Sequence, residues 1–480
     1  MHALFSAPRR SRAPFALALA AGAAAAALAS CGGSDSLVAT TADPQVKAAW
    51  VEIGANGQTI VRAVTAASSC PKIGIDGVTG TMSLRAAAAT VPQRSTASDP
   101  ADSKPSAFPV TTCESLPKAG TTEVFVAGRS LPLPKAQPQR IAVLADTGCR
   151  MKKADNAWQA CNDGTAWPFA TIAATAAAMK PDLVMHIGDY HYRENTCPTD
   201  IAGCKDSPWG YGWDTWEADL FKPGAPLLAA APWLVSRGNH EECARAGQGW
   251  ARFLDVRAFD PSMSCDSPAN DNNANFSDPY AVALGSDTQV VLFDSAKAGT
   301  TAFGASDYKF PIYQAQFRKV AAIAADSSKT TIFANHHPIL AFAPIAGGAP
   351  AAGNAGLQAV MKSLYPTAYY PDGVKIALHG HVHDFQALNF SSAHPATFVT
   401  GNGGDNVDVS LPDPFPANTT PAPGVVLDRI THTNTFGFMM MERSGSNWLY
   451  KAYTKDGKLL TTCVPAGSKI SCDKTGFLAP

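Results

Sequence analysis

The sequence predicts an α/β domain preceded by a small all-β sandwich. From about residue 138, apolar strand-like runs alternate with helical segments such as "FATIAATAAAMK" (169–180) and "IYQAQFRKVAAIAAD" (312–326). This alternation is typical of an α/β domain, whose functional groups lie at the C-terminal ends of strands. Between 48 and 130, short β-type runs are separated by Gly, Pro and Ser clusters and show no helical period, which favours a sandwich.

The composition is typical of a loop-rich exported protein. The 480 residues are 46% hydrophobic, which is enough for more than one core. With 38 glycines, 36 prolines and 16% charged residues, the chain resembles neither a helical bundle nor a disordered protein. The formal net charge of −1 argues against nucleic acid as a partner.

Residues 1–31 are predicted to be a lipoprotein-type signal peptide. Arg9, Arg10 and Arg12 precede an apolar run over 14–29 that ends in small residues. The run is shorter than the roughly 20 residues of a membrane span. Because "LASC" (28–31) resembles a bacterial lipobox, Cys31 is the predicted lipidation site; the alternative is an ordinary cleaved signal peptide. The mature protein is then expected in the periplasm or at the cell surface as a membrane-anchored lipoprotein, or secreted, and the lipid is its only expected contact with a membrane.

Cysteine usage also favours an oxidising compartment. Of the eleven cysteines, ten remain if Cys31 carries lipid, and none shows the C-x₂-C spacing of a zinc site. Pairing of neighbours along the chain gives a hypothesis of five disulfides: 70/113, 149/161, 197/204, 243/265 and 463/472.

The chain is divided on these grounds into six regions. They are the signal peptide (1–31), a polar tether (32–47), the β-sandwich domain (48–130), a proline-rich linker (131–137), the catalytic domain (138–460) and a C-terminal tail with one candidate disulfide (461–480).

Five strand-like runs in the α/β region end in residues that can bind metal. The runs "RIAVLA", "LVMHIG", "PWLVSRG", "TTIFAN" and "VKIALHG" lead respectively to Asp146, Asp189, Asn239-His240-Glu241, His336 and His381-Val382-His383. One such ending is usually a turn, but five in succession are hard to explain as turns. Carboxylate, imidazole and amide ligands suit zinc, iron or manganese, and a carboxylate can bridge two ions that together clamp a phosphoryl group.

The same residues carry a family resemblance. The stretches "ADTGC", "IGDYHYRE", "RGNHEE", "NHHPI" and "HGHVHDF" resemble, in this order, the motifs of the metallophosphoesterases and, more narrowly, of the purple acid phosphatases. The resemblance implies a metallophosphoesterase-type β-sheet sandwich flanked by helices. A glycine-rich segment, "TGNGGDNVD" (400–408), follows the last motif, as in the smaller, tartrate-resistant type.

The resemblance implies a role for each residue of the site. Metal one is held by Asp146, Tyr192 and His383; metal two by Asn239, His336 and His381; Asp189 bridges the two metals, and His240 faces the substrate phosphate as the catalytic residue. Many relatives have D-x-H in the first motif, with the histidine as a ligand. Here that position is Gly148, and Tyr192 supplies the ligand instead, as in the purple type.

A tyrosinate ligand favours a trivalent ion. A free phenol has a pKa of about 10 and binds at neutral pH only when a strong Lewis acid stabilises its anion. The expected cofactor is therefore Fe(III) with a divalent ion, either Fe, Zn or Mn. The residual positive charge of such a pair favours an anionic phosphate ester.

The implied function is acid phosphatase activity on phosphomonoesters, through attack of metal-bound hydroxide on phosphorus. One alternative is a phosphodiesterase on the same metal site. The other, of a different class, is a non-catalytic surface lipoprotein that binds partners. Two histidines stay open: His191 either faces substrate or makes a loop hydrogen bond, and His337 is a second candidate substrate contact.

Overall fold

The computed structural model describes residues 41–94 and 100–480. Cys31, the signal peptide and most of the tether therefore lie outside the described residues. Among the residues that are described, no helix is both long and apolar enough to cross a membrane.

The region up to residue 130 is rich in short strands, in agreement with its β-type sequence runs. Its strands are β1 (Val46–Ile53), β2 (Thr59–Thr65), β3 (Lys72–Ile75), β4 (Val78–Thr81), β5 (Ser83–Ala86), β6 (Ala89–Val91), β7 (Ser106–Phe108), β8 (Thr111–Ser115), β9 (Val124–Val126) and β10 (Arg129–Ser130).

Strands and helices are interspersed from residue 140 to 364, and the nine strands β21–β29 follow the last helix. The strands are β11 (Arg140–Leu144), β12 (Met151–Lys152), β13 (Ala157–Trp158), β14 (Leu183–Ile187), β15 (Trp233–Ser236), β16 (Tyr280–Ala283), β17 (Thr288–Phe293), β18 (Thr330–Asn335), β19 (Phe342–Ala343), β20 (Ala351–Ala352), β21 (Val374–His379), β22 (Phe385–Phe390), β23 (Ala396–Thr400), β24 (Leu427–Thr433), β25 (Gly437–Ser444), β26 (Asn447–Thr454), β27 (Leu459–Ala466), β28 (Lys469–Cys472) and β29 (Gly476–Phe477). The helices are α1 (Phe169–Ala178), α2 (Trp213–Trp216), α3 (Ala225–Ala230), α4 (Gly247–Phe253), α5 (Asp271–Ala274), α6 (Lys309–Ala324) and α7 (Ala355–Leu364).

Two large mixed sheets form the centre of the fold. The first has eleven strands in the order β28-β27-β26-β25-β11-β14-β15-β1-β2-β8-β5, and the second has eight in the order β16-β17-β18-β21-β23-β22-β24-β29. Within the first, β11, β14 and β15 are parallel; within the second, β17, β18 and β21 are parallel. The predicted α/β architecture of a sheet sandwich flanked by helices is confirmed.

Successive side chains of a β-strand point to opposite faces of the sheet, so one strand can contribute to two hydrophobic cores. In β11, Ile141 and Val143 belong to a core that includes Leu292 and Ile332 of the second sheet. The intervening residues of β11 join a core with the aromatic and aliphatic residues of α1, α3 and α4. A third core lies between the second sheet and the helices α6 and α7.

The N-terminal strands continue the first sheet. Strand β1 pairs in parallel with β15 at Glu52 and Trp233, and β2, β8 and β5 extend the sheet beyond it. Trp50 packs on Phe221 with ring centroids 5.1 Å apart. These contacts join the β-rich region directly to β15, the strand that leads to Asn239. The predicted domain boundaries stay predictions.

The disulfide hypothesis is confirmed. The bonds join Cys70–Cys113, Cys149–Cys161, Cys197–Cys204, Cys243–Cys265 and Cys463–Cys472. Such bonds are typical of proteins that fold in an oxidising compartment outside the cytosol.

Candidate metal centre

The residues predicted to bind metal converge at one edge of the sheet sandwich. Asp146, Asp189 and Asn239 follow the parallel strands β11, β14 and β15 of the first sheet, and His336 and His381 follow β18 and β21 of the second. Parallel strands present their carboxyl ends at the same edge, so residues far apart in sequence meet there.

Three of these residues have an unusual backbone. Asp146 and Asp189 both have φ of +57°, and His381 has φ of +71°. The left-handed region is uncommon for residues other than glycine, and such backbone strain clusters at functional sites. Here it occurs directly after three different strands, where the chain turns and a side chain is directed into the cluster.

The first group of side chains surrounds the Tyr192 hydroxyl. This hydroxyl lies 2.7 Å from Asp146 Oδ1 and 3.2 Å from His383 Nε2. Asp146 Oδ2 also accepts a hydrogen bond from the His381 backbone N–H at 2.8 Å. The three residues predicted for metal one therefore point their donor atoms at one another.

The second group surrounds Asn239. Its Oδ1 lies 3.1 Å from His336 Nε2 and 2.9 Å from His381 Nδ1. The other nitrogen of His336, Nδ1, lies 2.9 Å from the backbone oxygen of Ile187 and fixes the ring. The three residues predicted for metal two thus also converge.

Asp189 belongs to both groups. Its Oδ2 is 2.9 Å from the Tyr192 hydroxyl and 3.0 Å from His336 Nε2. Its Oδ1 accepts a hydrogen bond from the His240 backbone N–H at 2.8 Å. Donor atoms of Asp189, His336 and His381 lie within 4.8 Å of one another, as in a metal site.

Two glycines allow the loops to approach this closely. A Cβ at Gly238 would lie 2.1 Å from Asp189 Oδ1, and one at Gly148 would lie 2.8 Å from the backbone nitrogen of Tyr192. No side chain fits at Gly148 without displacing the Tyr192 loop. The Tyr192 loop therefore occupies the space that a side chain at position 148 would need.

The donor set fits bound metal. Burial, together with the charges of Asp146 and Asp189, raises the pKa of Tyr192 well above its usual value. The Tyr192 hydroxyl therefore keeps its proton and donates it in hydrogen bonds to Asp146 and Asp189. Only a cation in the place of that proton would stabilise the phenolate form. Burial opposes protonation of His336, but the charges of Asp189 and Asp146 and the hydrogen bonds of the ring together outweigh it and raise the pKa of His336 to about 9. Anionic oxygens around buried imidazoles are the surroundings that a cation requires.

His240 lies beside the cluster in a separate hydrogen-bonded group. Its ring is packed on Tyr192 with centroids 3.8 Å apart, and its Nδ1 lies 3.1 Å from Glu194 Oε1. Glu194 is buried, is paired with Arg245, and accepts a hydrogen bond from the Tyr211 hydroxyl at 2.9 Å. Burial and the Arg245 charge lower the pKa of His240 to about 3, so the imidazole is neutral in the protein alone.

His191 and His337 occupy different surroundings. His191 is fully buried between Tyr211 and Trp216, at ring-centroid distances of 5.4 and 5.8 Å. His337 lies beside the cluster, with its ring 4.4 Å from His381 and its Nδ1 3.1 Å from Ser295 Oγ. The substrate contacts predicted for both histidines stay predictions. The ring of His191 contacts aromatic rings, and its backbone N–H donates a hydrogen bond to Glu241 Oε1 at 3.2 Å.

The structure adds a carboxylate that the motifs did not predict. Asp405 Oδ2 lies 3.4 Å from His383 Nε2 and 2.5 Å from the guanidinium of Arg150. Burial lowers the pKa of His383, but Asp405 and Asp146 outweigh it and raise it to about 9. Asp405 stands in the glycine-rich segment after the last motif, which was its only signal in the sequence.

Glu241 holds two of the motif loops together. Its carboxylate accepts hydrogen bonds from the backbone N–H groups of Asp189 at 3.0 Å, Tyr190 at 2.8 Å and Gly238 at 3.0 Å. The loops after β14 and β15 are therefore fixed to each other through a buried side chain that is adjacent to the cluster without being part of it.

A family model now fits this geometry. The model for calcineurin-like phosphoesterases matches residues 139–385, just over half of the 480 residues. The chain belongs to the calcineurin-like phosphoesterases. The matched span contains all seven residues predicted to bind metal, and it includes His240.

Solved structures share the fold. The purple acid phosphatase PPD1 from seeds of yellow lupin (Lupinus luteus) is 13% identical, with a TM-score of 0.51 over 86% of this chain and 73% of that one. PhoD is 12% identical, with a TM-score of 0.50 over 90% of this chain and 92% of that one. No curated protein matches the sequence significantly. At these identities the likeness concerns the fold alone.

Proposed function

We propose that this calcineurin-like phosphoesterase is a binuclear metal-dependent phosphatase of the purple acid phosphatase type, acting on phosphomonoesters. The observation that carries the proposal is the position of Asp189. One oxygen of this carboxylate is within 3.0 Å of donor atoms from both groups, Tyr192 on one side and His336 on the other. A carboxylate shared in this way would hold metal together with both groups.

The division of ligands follows from the two groups. Asp146, Tyr192 and His383 would hold metal one, and Asn239, His336 and His381 would hold metal two. When bound, the two ions supply Lewis-acid stabilisation of phosphate oxygens and lower the pKa of water. A Tyr192 phenolate among carboxylates favours Fe(III) as metal one, with a divalent ion as metal two.

His240 is the proposed catalytic residue. Nδ1 lies 3.1 Å from Glu194 Oε1, while Nε2 lies 3.9 Å from Asp189 Oδ2 and 2.7 Å from Arg245 Nη2. A bound phosphate dianion adds negative charge nearby and raises the pKa of His240. Hydrolysis breaks the bond from phosphorus to the leaving oxygen and forms one to the oxygen of water. Nε2 is the atom that gives a proton to the leaving oxygen.

The proposed activity is tested by measuring hydrolysis of a monoester and a diester with the same leaving group. The protein is compared as purified, after removal of metal with a chelator, and after return of iron and zinc. We expect faster hydrolysis of the monoester, loss on chelation and recovery with metal. Full activity after verified metal removal would contradict the metal mechanism, and a faster diester reaction would make the protein a phosphodiesterase.

The iron proposal has a spectroscopic test. A Tyr192–Fe(III) contact gives the iron-loaded protein a visible absorption band, which Tyr192→Phe abolishes. An iron-loaded parent without the band would refute this ligand assignment and leave the phosphatase proposal standing.

Membrane anchoring through Cys31 is part of the proposal. We expect the full-length protein in the membrane fraction and Cys31→Ala in the soluble fraction after export. Equal membrane retention of both would refute the lipid anchor.

A further inference from the structure

A small cavity opens beside the metal-two side of the site. It has a volume of about 190 Å³ and is lined by His381, by residues of the hairpin β19–β20 and by the neighbouring loops. We call it the hairpin pocket and define it by His381, Phe342, Ala343, Ala351, Ala352 and Asn354. Since His381 is a proposed ligand, a group attached to the reacting phosphate can extend directly into this pocket.

Among the residues that the structure describes, no carboxylate, lysine or arginine lines the hairpin pocket. Its one amide is already engaged: Asn354 Oδ1 accepts from the Leu357 backbone N–H at 2.9 Å, and its Nδ2 donates to the Gly299 oxygen at 2.6 Å. The pocket therefore offers mainly methyl, methylene and aromatic surface to whatever enters it. A charged group placed there loses water without gaining a counter-charge, which is costly.

The pocket is preformed. The Phe342 backbone exchanges two hydrogen bonds with the Gln386 amide, its N–H donating at 3.2 Å and its oxygen accepting at 2.6 Å. Phe342 is buried and packs on Phe415 with centroids 4.8 Å apart. Gly353 lies so close to the chain that a Cβ there would be 2.1 Å from the Ile339 oxygen. The hairpin is thus fixed against the sheet on the side that faces the pocket.

We infer that the hairpin pocket receives the leaving group and selects phosphate esters of small, uncharged alcohols or phenols. The inference rests on the proposed phosphatase function. The volume is below the roughly 300 Å³ of a drug-sized site, so a nucleoside or a second phosphorylated unit exceeds it. Selection comes from size and from the cost of burying charge.

The test compares phenyl phosphate with 4-carboxyphenyl phosphate on the full metal-loaded chain. Ala352 lines the pocket and is exposed, so Ala352→Lys adds a cation without disturbing a core. Ala349→Lys is the matched control, because Ala349 is exposed on the same hairpin and does not line the pocket. We expect the parent to favour phenyl phosphate by about tenfold in kcat/KM, and Ala352→Lys to shift this ratio about tenfold toward the carboxylated ester.

The outcomes separate the two proposals. An unchanged ratio in Ala352→Lys, or an equal shift in Ala349→Lys, overturns the assignment of the leaving group to the pocket while the phosphatase function stands. Absence of hydrolysis of either ester by the metal-loaded parent overturns the proposed function instead.

Discussion

His240 shows how a residue at this site depends on partners that do not touch substrate. Glu194 lies 3.1 Å from His240 Nδ1, and its second oxygen accepts from Tyr211. A fixed carboxylate holds one tautomer and supports positive charge on the imidazole. The role of Glu194 is therefore to position His240, with its negative charge balanced by Arg245.

Glu194→Gln is expected to lower kcat/KM for a phosphomonoester by about 10- to 100-fold, because His240 loses the partner that supports its protonated form. The basic limb of the pH–rate profile should also move to lower pH, because the proton donor loses its proton more readily, and a merely structural change would not cause this. Glu242→Gln is the control, since Glu242 pairs with Lys297 away from His240. Unchanged kinetics and an unchanged pH profile in Glu194→Gln would contradict this role.

Glu52 gives a prediction for stability against pH. Burial, opposed by Arg62 and by the Trp50 hydrogen bond, raises the pKa of Glu52 from 4.5 to about 7. Between these values the native state keeps a proton that the unfolded state releases, so the free energy of unfolding falls as pH rises, by at most about 3 kcal/mol. In urea unfolding between about pH 4 and about pH 8, the free energy of unfolding of Glu52→Gln should lack this pH-dependent fall. Identical pH slopes for parent and variant would contradict the raised pKa.

At the scale of elements, α4 depends on the N-terminal strands. The carbonyls at the end of a helix have no partners within it and carry partial negative charge. Arg62 donates to the oxygens of Phe253 and Asp255, both at 2.6 Å. Arg85 of β5 donates to the oxygens of Ala251 and Arg252 at 2.8 and 2.9 Å. Two buried arginines thus fix the helix that follows the Asn239-His240 loop.

Arg85→Leu is expected to lower the free energy of unfolding by about 3 kcal/mol, because several buried carbonyls lose their donor. Arg129→Leu, at an exposed position of β10, should change it by less than about 0.5 kcal/mol. Equal stability of the two variants in urea unfolding would contradict the capping role.

At the scale of the whole molecule, the first sheet runs without interruption from the C-terminal strands to the N-terminal ones. Strand β1 covers the edge of β15, which leads to Asn239, and Trp50 belongs to the core under α1 and α3. Loss of residues before 131 would expose an edge strand and that core to solvent.

A chain of residues 131–480 is accordingly expected to aggregate or to unfold without cooperativity. The measurement is thermal unfolding of this fragment beside the chain 41–480. Cooperative unfolding of the fragment at the same temperature would show that the predicted boundary at 131 separates two independent domains.

The convergence of the proposed ligands was predictable, because their motifs follow apolar strands and parallel strands end together. Asp405 and Glu194 were harder to predict from the sequence, because no local pattern specifies their contacts with His383 and His240. The pairing of β1 with β15 was unpredictable for the same reason: it joins segments about 180 residues apart through backbone hydrogen bonds that are indifferent to side-chain type.

Asp189 is the residue proposed to join two metal ions in one catalytic centre. The most direct test of this role is kcat/KM for a phosphomonoester with metal-loaded Asp189→Asn, measured together with the number of ions bound per chain. Asp278→Asn, at a surface ion pair with Lys319, is the control. We expect two ions per chain in the parent and in the control. In Asp189→Asn we expect kcat/KM to fall by about 10³-fold or more, with weaker binding of at least one ion. An Asp189→Asn protein that keeps both ions and hydrolyses as fast as the parent would contradict this role.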